Sequence, residues 1–133
     1  MTAKLSPFVV GPITRAQVEA FAAVSGDANP LHVNPALAGK VGLEAVPVHG
    51  MLLVAFLHEA ARRFRPRGTI TGLATRFMAP VPVGETIEIG GRVAKAGGIG
   101  DPVILRLLVT VAGGSLACVA EATVSPPPEG WPA

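Results

Sequence analysis

The chain has one cysteine, Cys118, no tyrosine, and only 5% aromatic residues among its 133. A lone cysteine excludes an internal disulfide and a thiolate metal cluster, so Cys118 is read as a core residue. Scarce aromatics, with no basic stripe interleaved among them, argue against a nucleic-acid surface, where bases stack beside cations. Uncharged runs are interrupted by Pro47 and His49, or by Gly113 and Gly114, short of the roughly 20 residues a membrane helix needs. No basic segment followed by an apolar one opens the sequence. A signal peptide is therefore not expected, and a cytoplasmic location is the default. His32, His49 and His58 show no recognised ligand spacing and have no cysteine nearby, so neither a metal nor a cofactor is expected.

What is abundant is apolar: 50% of the residues are hydrophobic and the mean hydropathy is +0.51. That is high for a soluble monomer and hints that a second subunit covers some of the surface. The length suits one domain with a real core. We assign residues 1–125 to that domain and 126–133 to a tail. Three consecutive prolines, Pro126 to Pro128, cannot join a central strand, so the tail is expected to be loose, with Trp131 a docking or packing residue.

Residues 5–10 alternate weakly before Gly11-Pro12 and read as a short opening strand. Thr14 with Gln17 forms a capping box, and Val18, Phe21, Ala22 and Ser25 repeat at helical spacing, so a helix delivers the chain to Gly26. Asn34 before Pro35 predicts a short helix over 35–39. From Gly50 to Phe64 the apolar residues lie on every face, which predicts a helix wrapped by the rest of the domain. Residues 69–81, 85–96, 102–112 and 115–124 then read as strands separated by Gly- and Pro-rich turns. A buried helix followed by antiparallel strands is an α+β plan.

The run Ser25-Gly26-Asp27-Ala28-Asn29-Pro30-Leu31-His32 sets a carboxylate and an imidazole five residues apart. On a helix that spacing would turn the two side chains about 140° from each other. Gly26 and Pro30 favour a loop instead, in which both can face one cleft and grip one water molecule. Asp27 and His32 are the candidate pair, with Asn29 bracing the backbone as an Asx turn. From the residues alone, a turn-forming Asp27 and a hydrogen-bonded loop His32 are the simpler roles.

The same run, with Phe21 before it and Asn34-Pro35-Ala36-Leu37-Ala38 after, resembles the signature of the MaoC-like (R)-specific enoyl-CoA hydratases. Pro47-Val48-His49-Gly50-Met51-Leu52 is similar to that family's entry into its central helix. Arg76-Phe77-Met78-Ala79-Pro80-Val81, followed by Gly84-Glu85-Thr86, is similar to its long strand and turn. The resemblance covers about residues 5 to 125 and implies a hot-dog fold, a central buried helix wrapped by a curved antiparallel sheet. It also implies a homodimer with paired sheet edges, and an acyl-CoA or acyl-carrier-protein thioester as substrate.

Hydrating an enoyl thioester needs a base for water, an acid for the α-carbon and stabilisation of negative charge on the thioester oxygen. The resemblance gives the first two tasks to Asp27 and His32, in either division of labour. It gives the third to Gly50, whose N–H at a helix N-terminus has no intrahelical acceptor and which admits a close approach. The alternative for Gly50 is a glycine that merely turns the chain into the helix. Ser25, Gly26, Asn29 and Pro30 shape the site, and His49 is read as a structural hydrogen-bonding residue.

Met51, Val54 and His58 are candidates for the acyl pocket, where an imidazole would favour a short or polar acyl group. The alternative for His58 is a place in the Glu59 and Arg62 surroundings at the helix end. Arg62, Arg63, Arg65 and Arg67 either form a solvated helix end, where cations suit the macrodipole, or seat the phosphates of the thioester carrier. The competing functions are a 3-hydroxyacyl-carrier-protein dehydratase, a hot-dog thioesterase, and a non-catalytic acyl-binding subunit of a heteromeric dehydratase.

Overall fold

In the computed structural model, which describes residues 3–43, 45–111 and 114–132, strand β1 (Lys4–Val10) leads to helix α1 (Arg15–Ser25) and a 3-10 turn (Pro30–His32). Helices α2 (Pro35–Lys40) and α3 (Gly50–Phe64) follow, then strands β2 (Thr69–Phe77), β3 (Ile87–Lys95), β4 (Val103–Val111) and β5 (Ser115–Ser125). The predicted strand end at 112, the turn residue 113 and the last tail residue 133 lie outside the described residues.

Local chemistry sets most of the boundaries. The Thr14 side chain accepts from the Gln17 N–H, and the Gln17 side chain accepts from the Thr14 N–H at 2.8 Å, so the capping box starts α1. Asn34 caps α2 by accepting from the Ala36 and Leu37 N–H groups. Strand β2 stops at Phe77, before the predicted residue 81, because Pro80 and Pro82 have no N–H to give a ladder. Pro82 instead forms an isolated bridge to Pro47.

The strands form one antiparallel sheet in the order β1-β3-β4-β5-β2. Strict alternation along β4 buries Val103, Leu105, Leu107 and Val109 and turns Arg106 and Leu108 outward. On the outer face Arg106 lies opposite Glu121 with an N···O distance of 3.6 Å, an exposed pair worth about 0–1 kcal/mol. The inner face packs with Leu53, Leu57, Ala60 and Ala61 of α3. Burying a side chain such as Leu57 or Leu105 stabilises the domain by about 1.5–3 kcal/mol.

Two expectations are corrected. Helix α3 is not wrapped on every side: Met51 is 62% exposed, and Ala55, His58 and Arg62 follow it along an open face. An apolar pattern all round the helix does not say which face this chain covers. The tail is not loose either. The Trp131 N–H donates to the Ile99 carbonyl at 2.7 Å and its indole Nε1–H to the Asp101 carbonyl at 2.8 Å, while the ring packs against the core.

Candidate active site

Helix α1 ends where Gly26 adopts a left-handed conformation (φ 78°) and donates its N–H to the Ala22 carbonyl. The Ser25 hydroxyl then accepts from the Asp27 N–H at 3.1 Å. Two residues on, Asn29 Oδ1 accepts from the Leu31 N–H at 3.0 Å, and the Asn29 carbonyl accepts from the His32 N–H at 2.9 Å. Asn29 thereby caps a 3-10 turn, with Pro30 at its first position and His32 at its end. His32 thus ends a tight helical turn rather than sitting in an irregular loop.

This turn brings Asp27 and His32 together, and it brings them to His49. Nitrogen and carboxylate atoms of the three lie within 4.8 Å of one another. The His32 and His49 rings stack at a centroid distance of 4.0 Å with 22° between their planes. Carbonyl partners decide where the ring protons sit, because a carbonyl only accepts. His32 Nδ1–H donates to the Pro47 carbonyl at 2.8 Å, which leaves its Nε2 as the lone-pair nitrogen. His49 Nε2–H donates to the Asp27 carbonyl at 2.9 Å, and the other nitrogen, Nδ1, is buried without a partner. The half-buried His32 therefore offers a basic nitrogen beside the exposed Asp27 carboxylate.

Gly50 opens α3 directly after His49, and no side chain caps that end. Its N–H has no acceptor among the described residues and lies at the positive end of the helix dipole. Phe77, from the end of β2, covers the Cα of Gly50. A carboxylate, a base and a free N–H are thus carried on one short turn and one helix start.

Residues 6–111 match the family model described as MaoC like domain. The chain belongs to the MaoC-like domain family. It is 36% identical over 114 residues to an (R)-specific enoyl-CoA hydratase of Aeromonas caviae, covering 84% of this chain and 85% of that one. A 3-hydroxyacyl-[acyl-carrier-protein] dehydratase, mitochondrial, of Arabidopsis thaliana is 36% identical over 70 residues, which are 53% of this chain and 42% of that longer protein. The solved structure of the (R)-hydratase from A. caviae involved in PHA biosynthesis superposes with a TM-score of 0.82 at 32% identity, covering 96% of this chain and 95% of that one. The architecture is accordingly the hot-dog fold, and the protein is an enzyme of the hydro-lyase class.

In this MaoC-like chain the remaining candidate residues scatter. Met51 and His58 are exposed and Val54 is half-buried, so one copy of the chain does not enclose a pocket around them. His58 makes no hydrogen bond among the described residues. Arg62 and Arg63 both turn to Glu59, Arg62 through Nε and Nη2 at 3.1 Å each. The Arg62 hydrogen bond holds the Glu59 carboxyl below its usual range, and Glu59 in turn raises the Arg62 guanidinium. Arg65 and Arg67 line a cleft with Phe64 and Trp131. That cleft is at the far end of α3, roughly 20 Å along the helix from Gly50.

Asp27, His32 and His49 also form the one titratable cluster among the described residues with metal-ligand reach. In each of the two histidines one ring nitrogen is committed to a backbone carbonyl, His32 Nδ1 to Pro47 and His49 Nε2 to Asp27. Sequence does not distinguish Pro47 or Phe77 as site builders, and it reads His49 as a structural hydrogen-bonding residue without naming its partner. The partner of His49 is a backbone carbonyl 22 residues away, for which no side-chain pattern is a signal.

Proposed function

We propose that the protein is an (R)-specific enoyl-CoA hydratase that reversibly adds water to a trans-2-enoyl thioester, giving the (R)-3-hydroxyacyl thioester, and that it acts as a cytoplasmic homodimer. The observation that carries this reading is the His32 tautomer: with Nδ1–H committed to the Pro47 carbonyl, Nε2 is free to take a proton beside Asp27.

A water held between the Asp27 carboxylate and His32 Nε2 gives a proton to the pair as its oxygen bonds to C3. The pair returns a proton to C2 on the same face, so H and OH are added and both residues end as they began. Negative charge that gathers on the thioester oxygen meets the free N–H of Gly50. Positioned proton transfer is worth about 10²–10⁴ in rate, and an N–H aimed at a developing oxyanion about 10²–10³. The reverse step, loss of water from a 3-hydroxyacyl group on a carrier protein, uses the same atoms. The likeness to the Arabidopsis dehydratase supports that second reading.

Pairing of two copies is supported by β2, which ends the sheet with one edge unpaired. Phe77 and Met78 at its end are 51% and 53% exposed, close to the Gly50 end of α3. A sheath of apolar side chains beside an open strand edge is suited to a second copy. A monomer mass by analytical ultracentrifugation would remove this part of the proposal.

The decisive experiment follows the loss of enoyl absorbance on mixing the protein with crotonyl-CoA, with free thiol monitored in parallel. Hydration without thiol release, abolished in Asp27→Asn and His32→Ala, is the expected result. Thiol release would make the protein a thioesterase. Inactivity on coenzyme A and carrier-protein enoyl thioesters alike would favour a non-catalytic subunit. Chain-length preference compared in His58→Ser tests whether that imidazole shapes a short or polar acyl site.

A further inference from the structure

The turn that carries Asp27 and His32 has little core beneath it. From residue 23 to residue 37 no side chain is fully buried, and 23–30 are all exposed. A turn so placed cannot hold two reacting groups at a fixed separation by packing alone, although the chemistry needs that separation kept within a fraction of an ångström.

The segment just before α3 supplies what packing does not. Val46, Pro47, Val48 and His49 are all buried. The segment is fixed as a rail along residues 81–83: the Val48 N–H donates to the Val81 carbonyl and the Val83 N–H to the Val46 carbonyl, each at 2.8 Å. From this rail two hydrogen bonds reach the turn, one at each end. The Pro47 carbonyl holds the ring of His32, and the His49 ring holds the backbone of Asp27. His49 also lies face to face with His32 and, at 4.9 Å and a tilt of 59°, against Phe21 of α1. One side chain thus touches the helix that enters the turn, the backbone of its first functional residue and the ring of its last.

We propose that His49 is a positioning residue that, together with the Pro47 carbonyl, clamps Asp27 and His32 at their working separation; this rests on the hydratase reading of that pair. His49 is sealed from solvent and acts on the reaction only through those two residues. Its Nδ1 is a buried polar atom without a partner, a cost that an apolar side chain of similar size would not carry. The bond from Nε2 to the Asp27 carbonyl is what such a side chain could not supply.

Two variants separate the bond from the bulk. His49→Phe keeps a buried ring against Phe21 and His32 but has no N–H for Asp27, whereas His49→Gln keeps a donor without the ring. Each is compared with wild type for kcat and KM on crotonyl-CoA, thermal midpoint, and amide hydrogen exchange at residues 27–32. For His49→Phe we expect kcat to fall about 10–100-fold with KM within about twofold and the midpoint within a few degrees. Exchange in the turn is expected to be faster. His49→Gln is expected to recover kcat to within several-fold of wild type and to restore slow exchange. Wild-type kcat in His49→Phe, or a Gln variant no better than Phe, overturns the clamp. If wild type itself hydrates no enoyl thioester, the hydratase reading fails and the exchange data still decide the clamp. Faster exchange in Phe than in Gln sustains it, and equal exchange overturns it.

Discussion

The tip of the Phe77 ring lies 3.1 Å from the position a Cβ on Gly50 would occupy. The aromatic ring from β2 therefore uses the space that the missing side chain leaves at the start of α3. Gly50→Ala should consequently do two separable things. The methyl presses on Phe77, an overpacking of about 1–3 kcal/mol that the half-exposed ring relieves in part. It also stands beside the N–H offered to the thioester oxygen, and should cut kcat by about 10-fold or more. In Gly50→Ala combined with Phe77→Leu, thermal melts should recover the lost stability while progress curves on crotonyl-CoA stay slow. Recovery of both together would assign the whole effect to the clash.

Asp27 and His32 grip the same water in the proposed reaction, so their contributions should not add. Asp27→Asn and His32→Ala are each expected to lower kcat by about 10²–10⁴. The thermal midpoint should change little in Asp27→Asn, whose side chain is exposed, and fall modestly in His32→Ala, which leaves the buried Pro47 carbonyl without its partner. The double variant should be scarcely worse than the poorer single one, since groups that act as a unit fail together. Multiplying losses in single-turnover kinetics would mean that the two act in independent steps.

Much of this arrangement was legible because it is local. Thr14 and Gln17 sit one helical turn apart, and Asn29 and Asn34 cap turns that begin at the prolines following them, so their partners lie within a few residues. Alternation along β4 is equally explicit, since every second residue from Val103 to Val109 is apolar and buried. For His49 and Trp131 the sequence carries the hydrogen-bonding and docking roles but not the partners, which are distant backbone carbonyls. His49 answers to the Asp27 carbonyl, and Trp131 to carbonyls at Ile99 and Asp101. The open face of α3, from Met51 to His58, reads as buried in the sequence because apolar residues there look the same whether this chain or another covers them.

Adjacent glycines in β3 should respond in opposite ways. Gly91 has φ 151°, and a Cβ there would run into the Arg106 carbonyl on β4. Gly90, its neighbour, would place a Cβ in open space. Gly91→Ala should cost about 3 kcal/mol or more, combining strain with a backbone clash. Gly90→Ala should stay within about 1 kcal/mol of wild type, helped by the smaller entropy of its unfolded chain. Urea melts of the two variants make the comparison.

Burial raises the pKa of the Cys118 thiol, which is fully enclosed between β5 and the core. The folded chain thus keeps this proton to higher pH than the unfolded chain does. Its contribution to stability is complete below the unfolded thiol's pKa of about 8.5 and falls as pH climbs past it. Unfolding free energy should therefore decline more steeply between about pH 8.5 and 10 in wild type than in Cys118→Ala. Ellman's reagent should react slowly with the native protein and fully in urea. Rapid native labelling would contradict the enclosed thiol.

Trp131 fastens the C-terminal segment across two turns. Its indole N–H and backbone N–H hold the Asp101 and Ile99 carbonyls of the β3–β4 connection. The far edge of its ring fills the space beside Gly68, where a Cβ would stand 2.6 Å from it. Complete burial would make Trp→Ala worth about 3–5 kcal/mol; for this half-buried ring about 2 kcal/mol is the reasonable scale. At a few degrees per kcal/mol for a domain of this size, Trp131→Ala should lower the thermal midpoint by about 5–10 °C. Trp131→Phe, which keeps most of the contact but not the donor, should lose about half as much. Neither should alter kcat, because the ring sits at the Phe64 end of α3 and the proposed chemistry at the Gly50 end. An unchanged midpoint in Trp131→Ala would mean that the segment is held by its prolines and not by the indole.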